Sequence, residues 1–162
     1  MVAKEHSLLT EQKSGPESNP GAFKEVRFVV YGDPVPKDRP RAAGHIYTPR
    51  KTENAESTVC LVYKSIYRGF RFEKGVPLRM VIDFYYRVAK SDSKKKKEQK
   101  VLGEIRPTQR PDLDNVAKLV QDAVNGVAYY DDSQIVELTV RKFFSEQPRT
   151  EVYIVEVGAD GE

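Results

Sequence analysis

The sequence has no Trp, a single Cys and two His among 162 residues, and no run approaches the ~18 consecutive apolar residues of a membrane span. Cys60 has no partner in the chain, which excludes an internal disulfide and a dithiol redox pair. His6, His45 and Cys60 are too few and too scattered for a zinc site. The leading residues MVAKEHSLLTEQKSG lack the apolar stretch and small-residue cleavage site of a secretory signal. These absences predict a soluble, cytoplasmic, one-domain protein with no membrane partner and no small-molecule cofactor. Its chemistry is left to carboxylates, Lys, Arg and Tyr.

A marked excess of either charge is also lacking, since 27 Lys and Arg face 24 Asp and Glu for a net +3. The average hides segregation. Residues 87–110 carry nine basic and three acidic side chains, a local balance of +6, so the remainder is net acidic.

Residues 1–22, rich in Ser, Glu, Lys, Gly and Pro without apolar periodicity, read as a disordered tail, and the folded domain as 23–158. Arg27–Tyr31 has strand composition, and Gly32-Asp-Pro-Val-Pro36 breaks it. A short strand follows near Gly44–Tyr47. Thr48 and Pro49 then form a helix start, and Val59, Val62, Tyr63, Ile66 and Tyr67 recur at helical spacing until Gly69. Leu78–Val88 reads as a central strand. Residues 89–110 offer little that packs and read as a long, exposed basic loop. Val116, Leu119, Val120, Ala123 and Val124 form a second helical stripe, ended by Asn125-Gly126. Ile135–Phe144 and Glu151–Val157 alternate as strands across a connector of hairpin length, Ser145–Arg149. The expected fold is α+β: a mostly antiparallel sheet of four to five strands with two main helices.

The densest chemical signal lies between Arg110 and Ile135. Asp112 and Asp114 alternate in what reads as an extended approach to the second helix, projecting to one side. Asn115, Lys118 and Asp122 share the helix face opposite the apolar stripe. The turn at Gly126 lets Asp131-Asp132 come back toward the helix start. Converging carboxylates repel one another unless a cation compensates them. Oxygen donors without His or Cys favour Mg²⁺ or Mn²⁺ over zinc. An EF-hand fails, because Val116, Ala117 and Ala123 would fall where its loop needs a ligand, a Gly and a Glu. A competing account exists for each piece: Asp114 as a helix cap, Lys118 and Asp122 as a surface pair, Asp131-Asp132 as turn residues. Capping explains neither Asp112 nor the doubled Asp ahead of an apolar strand.

The run Arg-Pro-Asp-Leu-Asp-Asn-x-x-Lys-x-x-x-Asp-Ala-x-Asn-Gly from Arg110, followed by Asp131-Asp-Ser-Gln-Ile135, resembles the signature of the RusA-type Holliday-junction resolvases. Val35-Pro-Lys-Asp-Arg-Pro-Arg41 and Tyr47-Thr-Pro-Arg50 resemble the segment that many members carry before their first helix. The similarity covers about residues 24–158. It implies a homodimeric, Mg²⁺-dependent endodeoxyribonuclease that resolves four-way DNA junctions by paired symmetric nicks in recombination and repair. The family's essential acids fall on Asp112, Asp114 and Asp132, the expected metal ligands, with Asp131 as the neighbouring carboxylate and Lys118 as the catalytic lysine. Asp122 is expected to be structural, orienting Lys118. The tail, the long Lys-rich segment, and Asp38 where relatives often carry Gly depart from the family pattern.

Two basic groups suit DNA phosphates: Lys37, Arg39, Arg41, Arg50 and Lys51 before the first helix, and Lys94, Lys95, Lys96 and Lys97 with Lys100 in the basic run, joined by Arg110 after it. A solvated surface is the competing account, strongest for the lysine run. No element reads as a major-groove helix, which favours recognition of junction shape. Val59, Leu61, Val62, Tyr63, Ile66, Tyr67, Phe70 and Phe72 exceed one helix face, so they form either core or a dimer interface. Two other functions compete: a nuclease of the same fold acting on flaps or forks, and a non-catalytic DNA-binding dimer. A PD-(D/E)xK nuclease is excluded, because no (D/E)-x-K follows on a strand.

Overall fold

The structure is a computed structural model that describes residues 25–37, 41–42, 46–47 and 50–158. The expected tail at 1–22, the helix start at Thr48-Pro49, and Arg39 lie outside the described residues.

In chain order the elements are β1 (Glu25–Tyr31), β2 (Arg41–Ala42), β3 (Ile46–Tyr47), α1 (Arg50–Tyr67), β4 (Leu78–Arg87), α2 (Lys94–Val101), α3 (Leu113–Val124), β5 (Ile135–Ser145) and β6 (Arg149–Glu156). A 3₁₀ turn, Asp132–Gln134, leads into β5. The main sheet runs β1-β6-β4-β5, and β2 pairs with β3 apart from it. Both β1 and β4 lie antiparallel to β6, whereas β5 runs parallel to β4. The α+β expectation of a mostly antiparallel sheet of four to five strands therefore holds, at four, with three helices in place of two.

β4 is central because alternate residues bury completely: Leu78, Met80, Ile82 and Phe84 are at most 1% exposed. They face α1 and α3 with Val26 and Phe28 of β1 and Val152 and Ile154 of β6. α1 contributes Val59 and Tyr63, and α3 contributes Val116, Leu119, Val120, Ala123 and Val124. Most of the apolar surplus around α1 is thus core, with Leu61 left 66% exposed. Truncating a buried leucine such as Leu119 to Ala would cost about 2–5 kcal/mol. The edge of β1 is closed by Tyr67, whose hydroxyl donates to the Arg27 carbonyl at 2.8 Å and accepts from its N–H at 2.7 Å. The opposite sheet face is polar and stacked, with Tyr85 against Phe143 and Arg149 over Tyr85.

Two local expectations are corrected. Residues 89–110 are not a continuous loop, because α2 forms within them. Ser93 caps it by accepting from the Lys96 N–H at 3.3 Å, and Asp92 anchors it through Lys96 at 3.0 Å and Lys100 at 2.5 Å. Lys100 itself is buried, its ammonium 4.5 Å from the Phe144 ring centre. β5 and β6 are not paired as a hairpin. Their short connector passes over the end of β4, which hydrogen-bonds to both. Among the described residues no helix is long and apolar enough to cross a membrane.

Candidate active site

α3 positions the first acids. Its apolar stripe is locked into the core, so its outward face is fixed relative to the sheet. Asp112 occupies the N-cap position with extended backbone, but its side chain makes no capping bond. Asp114 lies in the first helical turn rather than in an extended approach, correcting the sequence reading. Both are exposed, and neither has a side-chain hydrogen bond or ion pair among the described residues. Two carboxylates at a helix start sit at the positive end of the helix dipole, which favours their charge.

One turn further on, Lys118 reaches Asp122 Oδ1 at 2.9 Å and Asp132 Oδ2 at 3.6 Å. It therefore ties the helix to the turn that precedes β5. The other oxygen of Asp122 takes Lys37, whose ammonium also lies 3.3 Å from Glu56 Oε1. The Lys37 N–H donates to the Asn115 carbonyl at 3.0 Å, laying the 33–37 segment along α3. Lys37, expected among the phosphate-binding cations, is thus committed to two carboxylates.

The return from α3 is built tightly. Gly126 takes a positive φ of 72° that a side chain would strain, and Phe72 N–H donates to the Ala128 carbonyl at 2.8 Å. Tyr129 is fully buried; its hydroxyl is 3.1 Å from the Gln121 carbonyl and 3.4 Å from Asp132 Oδ1. Burial first, and then the Asp132 charge, push the Tyr129 hydroxyl well above its ordinary range, so it stays protonated as a donor. Asp131 begins the 3₁₀ turn and accepts the Ser133 N–H at 2.9 Å. The Ser133 hydroxyl, and then that N–H bond, hold its carboxyl below the usual range.

Gln134 completes a capping box by accepting from the N–H groups of Tyr130 and Asp131 at 2.8 and 3.3 Å. Its amide donates to the Glu73 and Val76 carbonyls at 2.8 and 3.1 Å. All the bonding capacity of this buried side chain goes into fixing the turn that carries Asp131 and Asp132.

The approach to Asp112 has its own anchor. The Lys142 ammonium donates to the carbonyls of Gln109, at 3.1 Å, and Pro111. The sequence reading passed over Lys142, Gln134 and Tyr129. A signal for Lys142 was present, since it interrupts the apolar side of β5 between Val140 and Phe144. For Gln134 the signal was the Asp-x-x-Gln spacing.

Lys118, Asp122 and Asp132 therefore come together in one ion-pair network, and Asp112 and Asp114 stand on the preceding turn of the same helix. Among the described residues no group of three or more carboxylate, His or Cys side chains is gathered closely enough to hold a metal ion. The donor chemistry nonetheless suits Mg²⁺. That ion commonly takes only one or two carboxylates with waters and phosphate oxygens, and Asp112 and Asp114 are exposed and unpaired.

Of the cations expected to meet DNA, Arg50 and Lys51 are exposed at the start of α1. Their charge there opposes the helix dipole and gains nothing for the helix. Lys94, Lys95 and Lys96 are exposed on α2, Lys96 paired with Asp92, while Lys97 is half-buried. Arg110 lines a shallow cleft with Asp33, Tyr86, Arg87, Gln109 and Phe144. For Arg41 only the backbone, in β2, is described.

Comparison with known proteins matches the family model "Endodeoxyribonuclease RusA" over residues 31–155. The Bacillus subtilis (strain 168) protein YqaN, itself described as uncharacterized, is 44% identical over 141 residues, covering 83% of this chain and 98% of YqaN. The crossover junction endodeoxyribonuclease rusA of Lactococcus phage r1t is 41% identical over 87 residues, 53% of this chain and 60% of the phage protein. The matched span runs from the end of β1 into β6 and includes every acid of the site, so the chain belongs to the RusA endodeoxyribonuclease family.

Proposed function

We propose that this protein is a Mg²⁺-dependent endodeoxyribonuclease that resolves four-way DNA junctions by paired, symmetric nicks, acting as a homodimer in the cytoplasm during recombination and repair. The observation that carries the reading is Lys118 lying between α3 and Asp132, so that acids from two separated segments border one exposed ammonium. Purely capping roles for these acids would need no such lysine.

Asp112, Asp114 and Asp132 would hold the cation, Mg²⁺ or Mn²⁺, by drawing together around it from their present separation. When bound, such an ion neutralises phosphate charge and makes a coordinated water acidic enough to attack near neutral pH. Lys118, 55% exposed although it pairs with Asp122 and Asp132, would donate to a phosphate oxygen as negative charge builds on it. Asp122 holds that ammonium in place from within the helix, and Asp131 fixes the turn. Arg50, Lys51, Arg110 and the α2 lysines supply positive charge for the DNA arms, with Arg39 and Arg41 in the same segment of sequence. A four-way junction has approximate two-fold symmetry, and a two-fold dimer presents two equivalent sites to it.

The test is incubation with an immobile synthetic four-way junction and with matched linear duplex, in Mg²⁺ or in chelator. Paired nicks confined to the junction and dependent on the metal are expected. Cutting of flaps or forks in preference to junctions would reassign the substrate, and metal-independent binding without cutting would contradict the enzyme reading.

A further inference from the structure

Beside the acids of the turn stands an aromatic residue that the ion-pair network does not use. Tyr130 is 45% exposed, although Ala128 and Tyr129 just before it are fully buried. Its backbone is fixed by the bond from its N–H to Gln134 Oε1. The Arg71 guanidinium lies over its ring, 3.8 Å from the centroid, and is held there by donating to the Gly126 carbonyl at 3.2 Å.

Several other arginines stack on aromatics in this protein, and most of their charges are answered, Arg106 over Phe143 being the exception among the described residues. Arg27 over Tyr153 also pairs with Glu25, and Arg149 over Tyr85 also pairs with Glu151. Arg71 forms no ion pair among the described residues. The result is a rigid, partly open π surface with uncompensated positive charge. It lies two residues before Asp132, at most about 7 Å along the backbone. Such a surface suits a flat, electron-rich ring attached to a phosphate: bases freed from their neighbours stack on Tyr rings and on Arg planes.

We propose that Tyr130 and Arg71 form a stacking platform for one unstacked nucleobase at the branch point of the DNA substrate. The proposal rests on the junction-nuclease reading and adds a binding site to it. Bases at a branch point lose a stacking neighbour, and a platform next to the acids would replace it while registering the adjacent phosphate against Lys118.

The experiment is a double-mutant cycle read by binding alone, in chelator, using fluorescence anisotropy. Wild type, Tyr130→Ala, Tyr130→Leu, Tyr130→Phe and Arg71→Ala are titrated against an intact junction and against junctions each lacking one base beside the branch point. Tyr130→Ala should weaken binding to the intact junction by about five- to a hundredfold, and Tyr130→Phe should leave it close to wild type. One abasic junction should weaken wild-type binding by a similar factor and then lose nothing further in Tyr130→Ala. Tyr130→Leu keeps the apolar bulk without the π face and should behave as Tyr130→Ala does, guarding against a folding defect. Unchanged affinity in Tyr130→Ala, or losses that simply multiply at every abasic position, would overturn the platform. Wild-type protein that binds junction no better than duplex would instead contradict the junction reading, and with it the platform's substrate.

Discussion

Asp122 is the residue on which the network turns, and replacing it by Asn tests the network in two ways. The substitution keeps the shape and removes the charge between Lys118 at 2.9 Å and Lys37. Lys118 is 55% exposed, so its half of the interaction is worth only about 0.3–0.5 kcal/mol. Lys37 and Asp122 are more sheltered, at 30% and 19% exposed, and Lys37 keeps Glu56 as a second partner. That half is worth about 1 kcal/mol, below the 1.5–3 kcal/mol typical of a hydrogen bond to a charged group, because Asn still accepts and Glu56 remains. The expected total is about 1–2 kcal/mol, which for a chain of this size lowers the melting temperature by about 2–8 °C.

The functional consequence is separate from this loss. Without Asp122, Lys118 is left with Asp132 and closes on it, competing with a cation for that carboxylate. Thermal unfolding, junction binding in chelator, and cutting across a Mg²⁺ titration measure the three effects. Asp122→Asn should bind junction normally and need several-fold more Mg²⁺ for half-maximal cutting, whereas Lys37→Met should lose similar stability with little change in Mg²⁺ requirement. A destabilised Asp122→Asn that cuts with the wild-type Mg²⁺ profile would refute the positioning argument, and an unchanged melting temperature would refute the energetic one.

Lys142→Met should release the Gln109 and Pro111 carbonyls, let the approach to Asp112 drift, and lower cutting about tenfold or more with junction binding retained; Lys142→Arg should recover part of it, and full activity in the Met variant would remove the anchor from the account. The anchoring of α2 should depend on acid pH. Lys100, and then Lys96, hold the Asp92 carboxyl below its ordinary value of 3.8. The folded protein therefore takes up this proton less readily than the unfolded chain. The stabilisation is complete above that ordinary value and is lost as pH falls through the lower folded one. Protection against hydrogen exchange across 94–104, taken relative to the intrinsic rate at each pH, should stay high at pH 5 and fall toward pH 3, and in Asp92→Asn it should be low at both.

What could be read from the sequence followed the range of the forces involved. β4 and α3 were legible because their burial is periodic: alternate residues of β4 and the Val116–Val124 stripe face a single core. α2 was not, because a run of lysines has no apolar stripe; it is held by the Ser93 cap, by Asp92, and by the stem of Lys100 against Phe144. The β5–β6 connector has hairpin length, yet pairing is decided by β4, which is apolar enough to take the place between them. The spacing of the acids is visible in the sequence, whereas the pairing of Lys37 with two carboxylates is not. Its partners Glu56 and Asp122 lie far away in sequence and meet it only through the packing of α1 and α3. Tyr129 was hidden for a different reason: its partners Gln121 and Asp132 are near in sequence, but no pattern marks a buried tyrosine whose hydroxyl turns back to them.

The central claim is that the carboxylates at the start of α3 and in the 3₁₀ turn perform metal-dependent phosphodiester cleavage rather than merely shaping the chain. It is tested most directly by Asp132→Asn, assayed on one four-way junction for binding in chelator and for cutting in saturating Mg²⁺. Asp132 keeps no structural bond that Asn could not largely replace, so the variant should fold and bind junction as wild type does. Its cutting should fall by about a hundredfold or more. Cutting at the wild-type rate would contradict the account.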